Sequence, residues 1–166
     1  MSKNYAVRYS FLFLIFLAVG QSSDAQQLSG GLRLGPGGGI SILWEDGSSH
    51  RLEGIITPRW DGIIVTGLYA WEKPMSKEEW SWFYGGGIHL GYHHRDNLFG
   101  EGSSDNGQYI NQGFDLIIGV NYRFRNAPWC VSADFKPAFE LAAERNVILE
   151  TFGITFRYFI PRKSKL

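Results

Sequence analysis

Histidines are the side chains in this 166-residue chain that most directly suggest metal or acid–base chemistry. Three of them form the series His89-x-x-x-His93-His94. The surrounding segment is rich in glycine and alternates between polar and apolar residues, which favours a strand over a helix. On a strand, His89 and His93 share a face but lie about 13 Å apart, which is too far to bind one ion. We therefore predict no metal site and no cofactor.

A nucleophile and its base could come from the polar stretch that follows. His93, His94 and Asp96 precede Ser103 and Ser104 there, and Ser–His catalysis requires the two side chains to lie within hydrogen-bond distance. A polar segment rich in His, Asn, Ser and Gly is far more often a solvated loop. We predict the loop, and a protein that is not an enzyme.

The overall composition excludes several classes of protein. Lys and Arg number 16, as do Asp and Glu, and zero net charge argues against a nucleic-acid-binding protein. Aromatic residues make up 16% of the chain and charged residues only 19%, whereas disordered chains have few aromatics and a high charge. Cys130 is the one cysteine, so no intrachain disulfide can form.

Residues 1–25 have the pattern of a cleaved secretory signal peptide. Lys3 and Arg8 precede an apolar run of nine residues, 11–19, and Ser23-Asp24-Ala25 supplies the small residues that signal peptidase requires. The run is too short to span a bilayer as a helix. We expect cleavage after Ala25 and export of the remaining chain.

From residue 26 onward the sequence alternates with a period of two, which predicts β-strands. The segments 80–93, 114–124, 129–141 and 151–159 show this most clearly. The apolar face of 114–124 consists of Phe114, Leu116, Ile118, Val120, Tyr122 and Phe124. Strands of about 10 residues exceed the usual length and match the length of a tilted strand that crosses a bilayer.

The number of strands follows from their alternating direction. We place the long polar stretch 93–112 outside the cell, because outer-membrane barrels have long external loops and short periplasmic turns. Residues 28–45 then form either one strand or a hairpin broken at Pro36-Gly37-Gly38. The hairpin gives eight strands, an even number as bacterial barrels require. We predict an all-β, eight-stranded, antiparallel up-and-down transmembrane β-barrel over residues 26–160.

The residue types on the two faces indicate which face meets lipid. One face carries large aromatic and aliphatic residues, and the other carries Gly, Ser, Thr and charges, which suit the narrow interior of eight strands. Five tryptophans near strand ends are predicted to form a membrane girdle: Trp44, Trp60, Trp71, Trp80 and Trp129. The predicted lumen ion pairs, to which Glu45 could also contribute, involve Arg33, Glu53, Arg59, Asp115, Arg123, Asp134, Lys136 and Arg157.

The last strand carries an additional signal. Thr151, Gly153, Phe156 and Tyr158 match the pattern by which the barrel assembly machinery recognises outer-membrane proteins. Together with Gly31-Leu32-Arg33-Leu34-Gly35 and Gly119-Val120-Asn121-Tyr122-Arg123-Phe124, these residues resemble those of small OmpA-type β-barrel proteins of Gram-negative bacteria, most closely a short family of the Bacteroidetes. The chain departs from that family in its basic tail, 161–166.

The resemblance implies that the protein lies in the bacterial outer membrane, but it indicates almost nothing about its activity. We expect a structural or surface-contact role, a lumen plugged by ion pairs rather than an open pore, and outer-membrane lipid and the assembly machinery as partners. Two alternatives remain open: a lipid-modifying outer-membrane enzyme that uses rim residues near His93, and a soluble lipocalin-like carrier of apolar ligands.

Overall fold

The protein consists of antiparallel strands in every segment that the computed structural model describes, namely 26–59, 62–94, 108–141, 147–148 and 152–160. Among these residues there is no helix of the length and hydropathy that a bilayer span requires. The strands are β1 (Gln27–Leu34), β2 (Gly39–Glu45), β3 (His50–Arg59), β4 (Gly62–Pro74), β5 (Trp80–His94), β6 (Gln108–Arg123), β7 (Trp129–Phe135), β8 (Ala138–Glu140), β9 (Val147–Ile148) and β10 (Phe152–Phe159).

These strands close into a barrel of eight. Each of β1 to β5 pairs antiparallel with the strand that follows it in the sequence, and β1 also pairs antiparallel with β10. The short elements β7 and β8 both pair with β6 and together form the seventh barrel strand. β9 and β10 pair with β8 and β7 and form the eighth. This closed antiparallel barrel confirms the predicted fold class.

The seventh strand is interrupted where the sequence predicted a continuous strand over 129–141. Lys136 and Pro137 separate β7 from β8, and proline has no N–H to contribute to a ladder. The carbonyl of Pro137 still accepts a hydrogen bond from the Leu116 N–H at 3.0 Å. The barrel wall is therefore continuous on the β6 side across this interruption.

The first two strands form a hairpin, which resolves the alternatives for residues 28–45 in favour of two strands. The turn between β1 and β2 contains Gly35 at a φ of 126°, a conformation that glycine adopts readily because it has no Cβ. The N–H of Gly38 donates to the Gly35 carbonyl at 2.9 Å.

β6 extends further than its apolar alternation indicated. It begins at Gln108, which pairs with His94 of β5, so residues 108–112 are strand and not loop. The pairing with β5 extends the strand through a polar sequence, because backbone hydrogen bonds do not depend on the side chains.

The two ends of the barrel differ in their connections. We call the end where β1 begins and β10 ends the terminal rim; its turns join β2 to β3, β4 to β5 and β6 to β7. At the opposite end, the loop rim, the turn from β1 to β2 lies, β3 and β5 end, and β4 and β6 begin; residues 95–107 and 142–146 lie outside the described residues. The sequence alternation thus sends every second side chain inward and the rest outward between these two rims.

Candidate functional site: the charged lumen

The interior of the barrel is where charged side chains are buried. Arg33, Arg51 and Arg157 are exposed by only 2%, 1% and 1%. Beside them lies a small apolar cluster that also faces inward: Ile55, Leu68, Ala70, Phe83 and Ile117. Most outward-facing large residues are exposed instead. The strands have therefore placed their polar face inside and their apolar face outside.

Near the loop rim, two groups of ion pairs fill the lumen. The Arg33 Nη1 lies 2.5 Å from Asp134 Oδ2. The carboxylate of Asp115 bridges two donors, Lys136 Nζ at 2.5 Å and His89 Nδ1 at 2.7 Å. Both groups join residues that are distant in sequence but lie on neighbouring strands or on strands separated by one strand, so they hold these parts of the wall together.

Space for the Arg33 guanidinium depends on a glycine. A Cβ added to Gly153 would collide with the Arg33 guanidinium. Gly153 lies opposite Asp134 in the β7–β10 ladder, so the guanidinium passes over the glycine backbone to reach its carboxylate. Gly153, which is part of the predicted targeting pattern, thus leaves space for the Arg33 guanidinium.

In the middle of the lumen, one carboxylate binds two arginines. Glu53 forms a close ion pair with Arg157 and a second with Arg51 at 3.2 Å. The Ser41 hydroxyl donates to Glu53 Oε1 at 2.7 Å. Arg51 also reaches Glu72 at 3.1 Å, and its guanidinium stacks on the Phe83 ring, 3.9 Å from the centroid. Arg157, Glu53, Arg51 and Glu72 are therefore linked in series, and we call all the inward ion pairs together the lumen network.

At the terminal rim the ion pairs are more open to solvent. Arg123 Nη2 contacts both oxygens of Glu45, at 3.0 and 3.1 Å, and its side chain is 42% exposed. Its guanidinium also lies 4.5 Å from the Phe159 ring centroid. Both residues lie at the terminal-rim ends of their strands, β6 and β2.

A compact turn next to this pair is organised by Asp46. Its carboxylate accepts hydrogen bonds from the Ser48 hydroxyl at 2.7 Å, from the Ser48 N–H at 2.8 Å and from His50 Nδ1 at 2.8 Å. Partial burial raises the pKa of Asp46, but these hydrogen bonds outweigh it and hold the pKa below its usual range. The carboxylate is therefore ionised wherever the turn is formed near neutral pH.

The ion pairs of the described lumen match cations and carboxylates in equal number. Five cations face five carboxylates, each within ion-pair distance of a partner. The cations are Arg33, Arg51, Arg123, Lys136 and Arg157, and the anions are Glu45, Glu53, Glu72, Asp115 and Asp134. A further inward carboxylate, Glu140, accepts a hydrogen bond from the Asn111 side-chain amide at 3.1 Å.

Of the residues predicted to form lumen ion pairs, the structure brings seven into this network, and Glu45 with them. Arg59 is the exception: it lies exposed at the loop-rim end of β3 and forms no ion pair with a described residue, so its part in a lumen ion pair stays a prediction. The alternation of β3 would turn Arg59 inward, but the strand ends at this residue and its side chain is exposed to solvent.

Three network residues were missing from the predicted set. Arg51, Glu72 and His89 face inward on β3, β4 and β5. Applying the period of two to every charged residue would have found Arg51 within the predicted strand 51–60, whereas Glu72 lies one residue beyond the predicted strand 63–71 and belongs to the longer β4 of the structure. His89 was considered only as a metal ligand, although its partner Asp115 also faces inward.

No metal centre emerges from the described part of the chain. It contains no group of three or more His, Cys, Asp or Glu side chains that could bind a metal ion. The side chains of His93 and His94, and the whole of Asp96, Ser103 and Ser104, lie outside the described residues.

An aromatic belt lies at the terminal rim. Trp44, Trp71, Trp80 and Trp129 all lie near that end of their strands, while Trp60 lies outside the described residues. Neighbouring rings extend the belt: Trp71 stacks on Tyr84 at 5.8 Å, and Trp129 meets Tyr158 edge-on at 5.0 Å.

The residues of the predicted targeting pattern occupy both faces of β10. Phe156 and Tyr158 point outward and are exposed, whereas Gly153 is buried inside. Thr151 lies outside the described residues. Their use in targeting stays a prediction.

Comparison with solved structures identifies a similar barrel. The chain resembles the crystal structure of the N-terminal β-barrel domain of Pseudomonas aeruginosa OprF, with a TM-score of 0.60 and 11% sequence identity. The match covers 81% of this chain and 96% of that one. No family model and no curated protein matches. At this identity the likeness supports an OmpA-like fold alone, and the resemblance to a Bacteroidetes family stays a prediction.

Proposed function

We propose that the chain is an outer-membrane β-barrel protein of a Gram-negative bacterium, with a lumen plugged by ion pairs and a structural or surface-contact role. The observation that carries this proposal is the orientation of the strand faces. Leu, Ile, Phe and Trp side chains surround the barrel, and the paired charges lie inside. A soluble carrier of apolar ligands would need the opposite arrangement.

The energetics of a bilayer favour this arrangement. A soluble protein rarely exposes a contiguous apolar surface of this extent, whereas hydrocarbon accepts it. Closure of β1 onto β10 leaves no free sheet edge along their paired residues, as a membrane requires, because each unpaired backbone group costs several kcal/mol in lipid. The aromatic belt at the terminal rim suits the headgroup level of the inner leaflet.

A plugged lumen is supported by the size and charge of the interior. Eight strands enclose a space that side chains just fill, and here large charged side chains cross it. Because the four buried cations, Arg33, Arg51, Lys136 and Arg157, are each paired with a carboxylate, an ion entering the lumen would have to displace a partner from a desolvated pair. The barrel is therefore proposed not to conduct ions, and its contacts are assigned to the loop rim.

Export and assembly complete the proposal. The predicted signal peptide, 1–25, would direct the chain out of the cytoplasm. Phe156 and Tyr158, which project from the outer wall of β10, would be available to the barrel assembly machinery, with outer-membrane lipid as the final environment.

Fractionation and gel mobility test the location and the fold together. We expect the protein to sediment with outer membranes and to migrate faster on gels when it is not boiled, because a closed barrel resists detergent. A chain that is released as a soluble monomer without detergent would refute the membrane proposal.

Conductance tests the plug. In planar bilayers the purified protein should show no steady channel current. A variant with Arg33→Ala and Arg157→Ala, which empties two buried positions, provides the comparison for an unplugged barrel. A large steady conductance of the unaltered protein would contradict the plug and leave the membrane location standing.

A further inference from the structure

The outer wall contains one charged side chain that its surroundings do not explain. Along the described strands, Lys73 is the only Lys, Arg, Asp or Glu that the alternation turns outward. It is exposed near the terminal rim, at the end of β4. Its ammonium lies 5.9 Å from the Trp82 ring centroid and 5.8 Å from that of Tyr84, and it forms no ion pair with a described carboxylate. Aromatic faces attract a cation but leave its charge unneutralised.

An apolar groove in the outer wall begins at the same place. It has a volume of about 880 Å³ and is bounded by Met75 and Trp82 near the terminal rim and by Gly35 and Pro36 of the turn that follows the short strand β1. Trp82 is the direct cross-strand partner of Lys73. The cation therefore stands at one end of the groove.

The course of the groove follows the pairing of the strands. Trp82, Val120, Ala133, Ile154 and Leu34 are successive partners across five strands, and Ala133 is the smallest of them. Adjacent strands lie about 4.8 Å apart, so this row is about 19 Å long. Because strands tilt by 35–45° in such barrels, the row rises by about 12 Å along the membrane normal, close to the depth of one leaflet of the hydrocarbon core.

We propose that this groove binds one glycerophospholipid of the inner leaflet, with its phosphate at Lys73 and an acyl chain over Ala133. The inference rests on the proposed membrane location. The phosphate supplies the counter-charge that the wall lacks, at the depth where Trp and Tyr rings meet lipid headgroups. The apolar row accommodates the chain.

A second copy of the protein fits less well. Packing of two outer walls would bury Lys73, and the described strands present no carboxylate on their outer face that could pair with it. An unpaired buried ammonium is strongly unfavourable. A phospholipid neutralises the lysine, whereas a second copy does not.

A second groove on the barrel provides an internal control. It has a volume of about 550 Å³, and Trp44, Tyr69 and Ile88 line it together with the outward glycines Gly54 and Gly67. It contains no lysine. A Cβ added to Gly67 meets nothing within 4 Å, so a larger side chain there fills this groove without disturbing the first.

Native mass spectrometry of the full protein, purified from membranes in mild detergent, tests the proposal. Phosphatidylglycerol, phosphatidylethanolamine and diacylglycerol with identical chains are the probes. We expect one equivalent of either phospholipid to bind more tightly than diacylglycerol. Lys73→Gln should weaken phospholipid binding about fivefold without changing diacylglycerol binding, and Ala133→Phe should weaken both. The matched controls Lys77→Gln, in the β4–β5 turn, and Gly67→Leu should bind as the unaltered protein does.

Three outcomes would overturn this inference. One is equal phospholipid binding by the unaltered protein, Lys73→Gln and Ala133→Phe. Another is diacylglycerol binding as tight as phospholipid binding. The third is a dimer that carries no lipid and that Ala133→Phe dissociates. Each of them leaves the membrane location intact if the protein still partitions into outer membranes, so failure of the lipid site and failure of the proposed function are distinguishable.

Discussion

Glu53 in the middle of the lumen and Glu45 at the terminal rim are both glutamates bound by arginine, yet their surroundings differ. Glu53 is deeply buried between two arginines, whereas the arginine bound to Glu45 is 42% exposed in its side chain. A charge that loses its partner in a desolvated interior stays unneutralised, while one at the rim is solvated by water. The same pair of residue types should therefore contribute very differently to stability.

The largest expected effect is at the centre. Glu53→Gln should lower the free energy of unfolding by about 3–5 kcal/mol, because it leaves the buried Arg157 without its closest carboxylate and removes one of the two partners of Arg51. This free energy is measured by unfolding the protein in lipid vesicles with urea while its tryptophan fluorescence is monitored. Glu78→Gln, at a side chain that is 91% exposed, is the matched control and should cost almost nothing. If Glu53→Gln and Glu78→Gln lowered the free energy of unfolding equally, the expected difference between buried and exposed charges would be refuted.

The pair of Arg33 and Asp134 tests whether pairing or polarity matters. Asp134→Asn alone should lower the free energy of unfolding by about 3 kcal/mol, because it leaves the buried Arg33 guanidinium without its carboxylate. The double variant Arg33→Met with Asp134→Leu should recover most of that loss, since a buried ion pair is often replaceable by apolar residues. The same unfolding assay applies. A double variant less stable than Asp134→Asn would show that the charges are needed for more than mutual neutralisation.

At the rim the effect should be small. Arg123→Gln should lower the free energy of unfolding by no more than about 1 kcal/mol, and raising the salt concentration should reduce the difference further. Titrations at low and high salt check both points. A loss of unfolding free energy as large as that of Glu53→Gln would mean that the Arg123–Glu45 pair is as well shielded from water as the centre of the lumen.

The smallest effect is expected in the turn at Asp46. Asp46→Asn should cost about 0.5 kcal/mol at neutral pH, because weaker hydrogen bonds replace those to a carboxylate. The lowered pKa of Asp46 means that its contribution is complete above the unfolded-state pKa, near 4, and is lost as the pH falls through the lower folded-state pKa. The stability difference between the two proteins should therefore shrink in acid, and a pH series of unfolding curves would show whether it does.

Much of the barrel could be predicted because strand alternation is a local property. Successive side chains on a strand point to opposite faces, so residues such as Phe114, Asp115 and Leu116 reveal their two environments directly. Strand ends were harder to predict: β6 begins at Gln108 because β5 pairs with it, and that partner is distant in sequence. The break at Lys136 and Pro137 was likewise hidden within a continuous alternation.

The candidate site was predictable as a set of inward charges but not as a set of pairs. Parity places Arg33 and Asp134 inside, yet they lie 101 residues apart. Their contact depends on how the strands are staggered around the closed barrel. Arg59 has the inward position in the same alternation but is exposed as the last residue of β3, so its exposure depends on where the strand ends.

The period-two pattern by itself determined that this chain forms strands with one apolar and one polar face, because that periodicity is intrinsic to an extended backbone. Closure of β1 onto β10 decided what the pattern leaves open: which carboxylate neutralises which arginine, and that Lys73 lies beside an apolar groove without a described carboxylate as its partner. These features arise from neighbours that only the closed barrel brings together, since registry between strands distant in sequence is a property of the whole sheet.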